Sequence, residues 1–119
     1  MRSDYRLYID DILEAAKNIE DYVSGLDYDE FTQDRKTVDA VIRNFEILGE
    51  AAKHVPEQIR TRYPDVPWKA MAGMQDKLIH EYFGVRFDVI WETIKERLPE
   101  LKRVIENVLE DMERRARES

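Results

Sequence analysis

The chain has 119 residues, of which 43% are hydrophobic and 38% charged, and its formal net charge is −7. Four glycines, four prolines and no cysteine favour one helical domain over residues 1–119, and exclude disulfides and thiolate metal sites. No apolar run approaches the roughly 18–20 residues that span a bilayer, so a soluble, cytoplasmic protein without membrane contact is expected.

The first helix is expected from about Asp4 to Ser24. Tyr5, Tyr8, Ile9, Ile12, Ala16, Ile19 and Val23 follow the three-and-four spacing of one apolar stripe. Ser3 or Asp4 can cap its start and Gly25 can end it. In the connector that follows, Asp27 to Phe31 can form one short helical turn, with Phe31 pinning it to the core.

The second long helix is expected from about Asp34 to Val55, with Val38, Val41, Ile42, Phe45, Leu48, Ala52 and Val55 inward. Its segment LGEAAK carries Gly49, Ala51 and Ala52, small enough for close approach of another helix. Arg43, Glu46 and Glu50 share a polar side. They read first as ion pairs on a solvated face, and second as a polar wall near a site or a subunit interface. His54 reads as structural, a cation favoured near a helix C-terminus.

Pro56 can open a short helix to Tyr63 as its first residue. After the extended YPDVPW link, Trp68 is expected to anchor a helix running to about Phe83, with a bend near Gly73 and a stop at Gly84. The stretch from Asp88 onward is helical again, and Pro99 is expected to divide or kink it near Leu98. Trp91 and Phe83 read as core, and the tail after Met112 as frayed. The fold class is all-α, an antiparallel bundle of four long helices with one or two short ones.

The chemistry concentrates in Met74 to Val85, MQDKLIHEYFGV. Asp76 and His80 are four apart, so a helix stacks them on one face. A carboxylate there fixes the imidazole tautomer and favours its protonated form. Serine occurs only at Ser3, Ser24 and Ser119, none in a nucleophile setting. RNA cleavage needs no protein nucleophile, because the 2′-hydroxyl attacks; it needs a base, an acid and a cation for the phosphorane charge. As simpler alternatives, His80 is a capping or core histidine and Tyr82 a packing residue.

This stretch resembles the Arg-x-x-x-x-His motif of HEPN-domain proteins, in the HepT-like branch where it reads Arg-x-x-x-x-His-x-Tyr. LGEAAK, YPDVPWKAMAGM and WETIKERLPELK match the wider pattern. The resemblance implies a homodimeric, metal-independent ribonuclease toxin that needs no cofactor and has composite sites at its dimer cleft. It also implies a partner, an MNT-class nucleotidyltransferase antitoxin that attaches AMP to the motif tyrosine. His80 would then be the general acid/base, Asp76 the polar residue after the motif arginine, and Tyr82 the modified tyrosine. The chain departs at Gln75, where the family has arginine; a neutral amide supplies no fixed charge to phosphate. Losing one transition-state donor costs roughly 3–4 kcal/mol, so weakened or lost activity is expected. Lys77 and Arg86 are stand-in cations, Lys77 poorly placed at roughly 200° around the helix from Gln75. Gln75 reads either as an inactivating substitution, natural or introduced, or as the mark of a homologue that binds a nucleotidyltransferase without cutting RNA. A purely structural bundle is the third reading.

Overall fold

In the computed structural model, residues 5–80 and 86–118 are described, with the backbone alone for 75–80. Among the described residues every regular element is helical. The long helices are α1 (Tyr5–Val23), α3 (Arg35–His54), α5 (Trp68–His80) and α7 (Leu98–Glu118); α2 (Tyr28–Gln33), α4 (Glu57–Arg62) and α6 (Phe87–Glu92) are short.

Most of the α1 stripe is buried as its spacing predicts, with Ile9, Ile12, Ala16, Ile19 and Val23 inside and Tyr5 and Tyr8 half-buried at the edge. Gly25, at φ 81°, occupies the left-handed region that ends helices at low cost for glycine. Leu26 N–H then donates back to Val23 O at 3.0 Å. The expected turn at Asp27 is a full helix to Gln33 closed by a capping box. Asp27 Oδ1 accepts from Glu30 N–H at 2.8 Å, and Glu30 Oε1 accepts from Asp27 N–H at 3.0 Å. Phe31 is buried, as expected.

Asp34 caps α3 by accepting from the Thr37 N–H and hydroxyl. The inward face of α3 matches its stripe, with one polar addition. Asn44 is 7% exposed, donates to Ala40 O at 2.9 Å and accepts from Asn18 Nδ2 at 3.2 Å. A buried amide is costly unless bonded, so this pair fixes how α1 and α3 meet. Asn18 beside Asn44 and Tyr8 stacked on His54 make the two helices antiparallel. Lys102 on Glu20 at 2.6 Å and Arg6 near Glu113 at 3.6 Å make α7 antiparallel to α1 as well.

Pro56 is the N-cap of α4, not its first helical residue: its ψ of 148° is extended. Its carbonyl accepts from Ile59 and Arg60 N–H. Arg60 in turn closes the end of α3, donating to the carbonyls of Val55 at 2.9 Å and Lys53 at 3.0 Å. Helix α5 runs unbroken through Gly73; the expectations for Phe83 and Gly84 lie outside the described residues.

Pro99 does not break the last helix. The chain stays helical from Phe87 to Glu118, passing through a π-helical turn at Thr93–Arg97. Leu98 N–H reaches back to Thr93 O, one residue further than in an α-helix. The carbonyl that Pro99 would crowd, that of Lys95 four residues back, lies inside this widened turn. At 1.5 Å per residue the run measures about 48 Å, close to the 50 Å long dimension of the molecule. It continues helical past Met112 to Glu118, where fraying was expected; Arg114 and Arg115 both pair with Asp111. Trp91 is half-buried rather than core, packed on Phe31 at 5.2 Å with Lys95 Nζ 4.7 Å over its ring.

The α4–α5 link is tied to α7 by Tyr63, whose hydroxyl donates to Asp111 Oδ2 at 2.6 Å. That bond, with Arg115 beside it, holds the Asp111 carboxyl below the ordinary range, while burial first and then Asp111 raise the Tyr63 phenol.

Three substitutions test this packing. Gly25→Ala should destabilise the fold by about 1–2 kcal/mol, because its φ is positive. Gly73→Ala, whose added methyl meets nothing within 4 Å, should stabilise it by about 0.5–1 kcal/mol; urea midpoints measure both. The Asp111 contribution is present above the ordinary aspartate pKa and lost as pH falls through its lowered folded value. The Tyr63 contribution is present below the ordinary phenol pKa and lost as pH rises through its raised folded value. Tyr63→Phe should therefore flatten both the acid and the alkaline limb of stability against pH, as read by thermal melting.

Candidate active site

The motif rides on α5, so what holds α5 fixes the site. Its first residue is its anchor: Trp68 is 6% exposed, and its indole Nε1–H donates to Tyr63 O at 3.0 Å. Val66 and Met71 are buried beside it and Met74 packs on the core. The N-terminal half of α5 is thus clamped to the α4 link, and its face lies along α3. The α1–α3 and α3–α5 contacts are the two most extensive between helices among the described residues. Buried Gly49, Ala51 and Ala52 keep the α3 surface low where another helix must approach.

The direction of α5 follows from its start. Arg60 binds the carbonyls at the α3 C-terminus, and the link after it keeps Trp68 against Tyr63. A helix that begins at the end of α3 and packs along α3 runs back antiparallel to it. Gln75, Asp76 and His80 lie in the second half of that return, on helical backbone. Asp76 and His80 are one turn apart in register, as expected. Gln75 and His80 are roughly 140° apart around the axis. The side chains of Gln75, Asp76, Lys77 and His80 lie outside the described residues, as does Tyr82 altogether.

The polar side of α3 matches its plainer reading. Arg43 Nη1 is 3.5 Å from Glu46 Oε2, and His54 Nε2 is 3.0 Å from Glu50 Oε1. His54 is half-exposed and stacks on Tyr8 with ring centroids 5.1 Å apart, which agrees with a structural role at the end of α3. The stand-in cation Arg86 caps the start of α6 and forks onto Asp88, at 2.7 Å and 3.3 Å. That pairing holds the Asp88 carboxyl below its ordinary range.

Sequence reasoning missed a cleft of about 470 Å³ between the α4–α5 link and α7, with Tyr63 and Asp111 on its wall. Arg62, Arg114 and Arg115 line it, but so do Asp65, Glu110 and Asp111. The opposing charges cancel, leaving no preference for an anion. No local pattern could have revealed it, because its two walls are 48 residues apart at the Tyr63–Asp111 bond.

The comparisons with known proteins agree with the motif. A family model described as "Ribonuclease HepT-like" matches residues 12–108. A Methanocaldococcus jannaschii protein named "Putative RNase MJ0127" is 44% identical over 112 residues, covering 94% of this chain and 93% of its own. A second from that organism, "Putative RNase MJ0125", is 42% identical over 94% of this chain and 97% of its own. A Thermococcus cleftensis protein named "Probable ribonuclease HepT" is 45% identical over 86% of this chain and 93% of its own. No solved structure matches. A match of this extent, on an all-helical HEPN-like fold whose α5 carries the histidine motif in register, makes this chain a member of the HepT-like ribonuclease family.

Proposed function

We propose that this protein is the toxin of a toxin–antitoxin pair, a metal-independent endoribonuclease acting as a homodimer, with its activity weakened or lost at Gln75. The observation that carries this reading is the one-turn register of Asp76 and His80 on α5, with Tyr82 two residues further on in the sequence, in a chain of this family. His80 takes the proton from the ribose 2′-hydroxyl and returns one to the leaving oxygen. Asp76, one turn earlier, orients the ring and favours its protonated form. Across the cleft between two copies, position 75 faces the developing phosphorane charge, where an amide stabilises it less than a guanidinium would. The partner is an MNT-type nucleotidyltransferase that silences the toxin by attaching AMP to Tyr82.

Gln75 itself favours a second reading, a non-catalytic module that holds the nucleotidyltransferase without cutting RNA. One experiment separates the two. Gln75→Arg, assayed as a folded dimer with chelator present, should raise RNA cleavage on the order of 10²–10³-fold. His80→Ala in that background should abolish it. A dimer that stays inert after the arginine is restored leaves only the binding module.

A separate measurement addresses the modification. Incubation with an MNT-type nucleotidyltransferase and ATP should add adenylyl groups to the intact mass. Tyr82→Phe should stop the gain. Unchanged mass in the unmutated chain would remove adenylylation as its means of control.

A further inference from the structure

A ribonuclease site without the arginine at position 75 needs another cation, and the packing of α3 on α5 narrows where it can come from. Trp68 starts α5 beside the α3 C-terminus, next to the Arg60 bonds to Lys53 and Val55. Twelve residues on from Trp68, about 18 Å along the axis, the antiparallel return reaches His80. The same distance back along α3 from Val55 reaches Arg43. Between Lys36 and Lys53 the sequence of α3 contains no other basic residue. Arg43 is therefore the α3 cation level, to within about one turn, with positions 75–80 of α5.

Its surroundings leave it available. The Arg43 side chain is 70% exposed and stands 3.5 Å from Glu46, wider than the roughly 2.7–2.9 Å of a charge-assisted hydrogen bond. Several other cations among the described residues are committed. Arg60 bonds the α3 carbonyls, Lys102 pairs with Glu20 at 2.6 Å, Arg115 with Asp111 at 2.8 Å, and Lys95 covers Trp91. A guanidinium on an open helix face, loosely held by one carboxylate, can fork onto a phosphate with two parallel bonds.

We propose that Arg43 is the phosphate-binding cation of this site, supplying to single-stranded RNA the charge that position 75 lacks. The inference rests on the ribonuclease reading above, and its ligand is the phosphate backbone of RNA.

The test is binding of a short, fluorescently labelled single-stranded RNA, followed by anisotropy across a salt series. The full-length dimer is compared with Arg43→Gln, Arg43→Lys and a surface control, Arg35→Gln, each checked for folding by circular dichroism. Arg43→Gln should weaken binding about tenfold and lower the salt slope by about 0.7, the value for one single-strand phosphate contact. Arg43→Lys should keep the slope and lose part of the affinity. Arg35→Gln should change neither. Adding Gln75→Arg to the Arg43→Gln chain should restore binding, a rescue that a purely structural role for Arg43 would not show. If Arg43→Gln and Arg35→Gln behave alike while Gln75→Arg alone cleaves RNA, Arg43 has no such role and the ribonuclease reading stands. If no variant binds or cleaves RNA, both fall together.

Discussion

The fold depends on α3 being buried along two sides at once. Its stripe packs against α1 on one side, and α5 lies along another. A helix held on two sides cannot rotate or slide to suit either neighbour alone, because interiors are close-packed. Asn44 sharpens that constraint. Its amide is 7% exposed and spends its bonds on Ala40 O and Asn18. Sliding α1 by one turn would strand both amides in apolar surroundings, at about 1–3 kcal/mol for each unsatisfied group. A polar pair inside an otherwise apolar seam thus selects one register, and α5, packed on the same helix, inherits its position from that choice.

Most of the architecture was legible because helical periodicity survives local detail. The aliphatic members of the α1 and α3 stripes all lie in the buried core, while Tyr5 and Tyr8 lie at its edge, and Gly25 and Trp68 act where their chemistry placed them. Two of the departures turn on neighbours remote in sequence or on unusual backbone. Proline normally halts a helix, but the π-turn at Thr93–Arg97 gives Pro99 room, and nothing in local composition announces a widened turn. Trp91 read as core by type, yet its ring ends half-buried on Phe31 under Lys95, a placement set by α2. Pro56 is the N-cap rather than the first residue of α4, a one-position difference at the level where helix ends are hardest to locate. The histidine motif was legible because its spacing matches the turn of a helix, and α5 is helical there. The α3 segment opposite it was legible only as a polar row, since which helix lies alongside another is not written in either one.

Anchoring and chemistry are separated along α5. The N-terminal half is fixed by the Trp68 indole bond and by Met71 in the core; the second half carries the motif. A rigid helix fixed at one end carries a side chain to a defined point about 18 Å away without asking that point to supply stability. Stability and chemistry then place few conflicting demands on the same residues. Substitution in the second half can then leave the fold intact, which is how this chain can hold glutamine at position 75 on an undisturbed α5.

The net charge of −7 is the remaining physical objection to an RNA-binding surface, and screening answers it. At physiological salt the Debye length is about 8 Å, so a phosphate responds chiefly to charges within one or two side-chain lengths. Part of the acid on this surface is already paired: Asp111 with two arginines, Glu100 with Arg103, Glu20 with Lys102, Asp88 with Arg86. Those pairs project little field beyond themselves. On the proposed reading, what a bound strand would experience is set by the few charges near it rather than by the total. On the proposed ribonuclease reading, exchanging one arginine for glutamine is then a large local change, and a single guanidinium on α3 would be an equally local remedy.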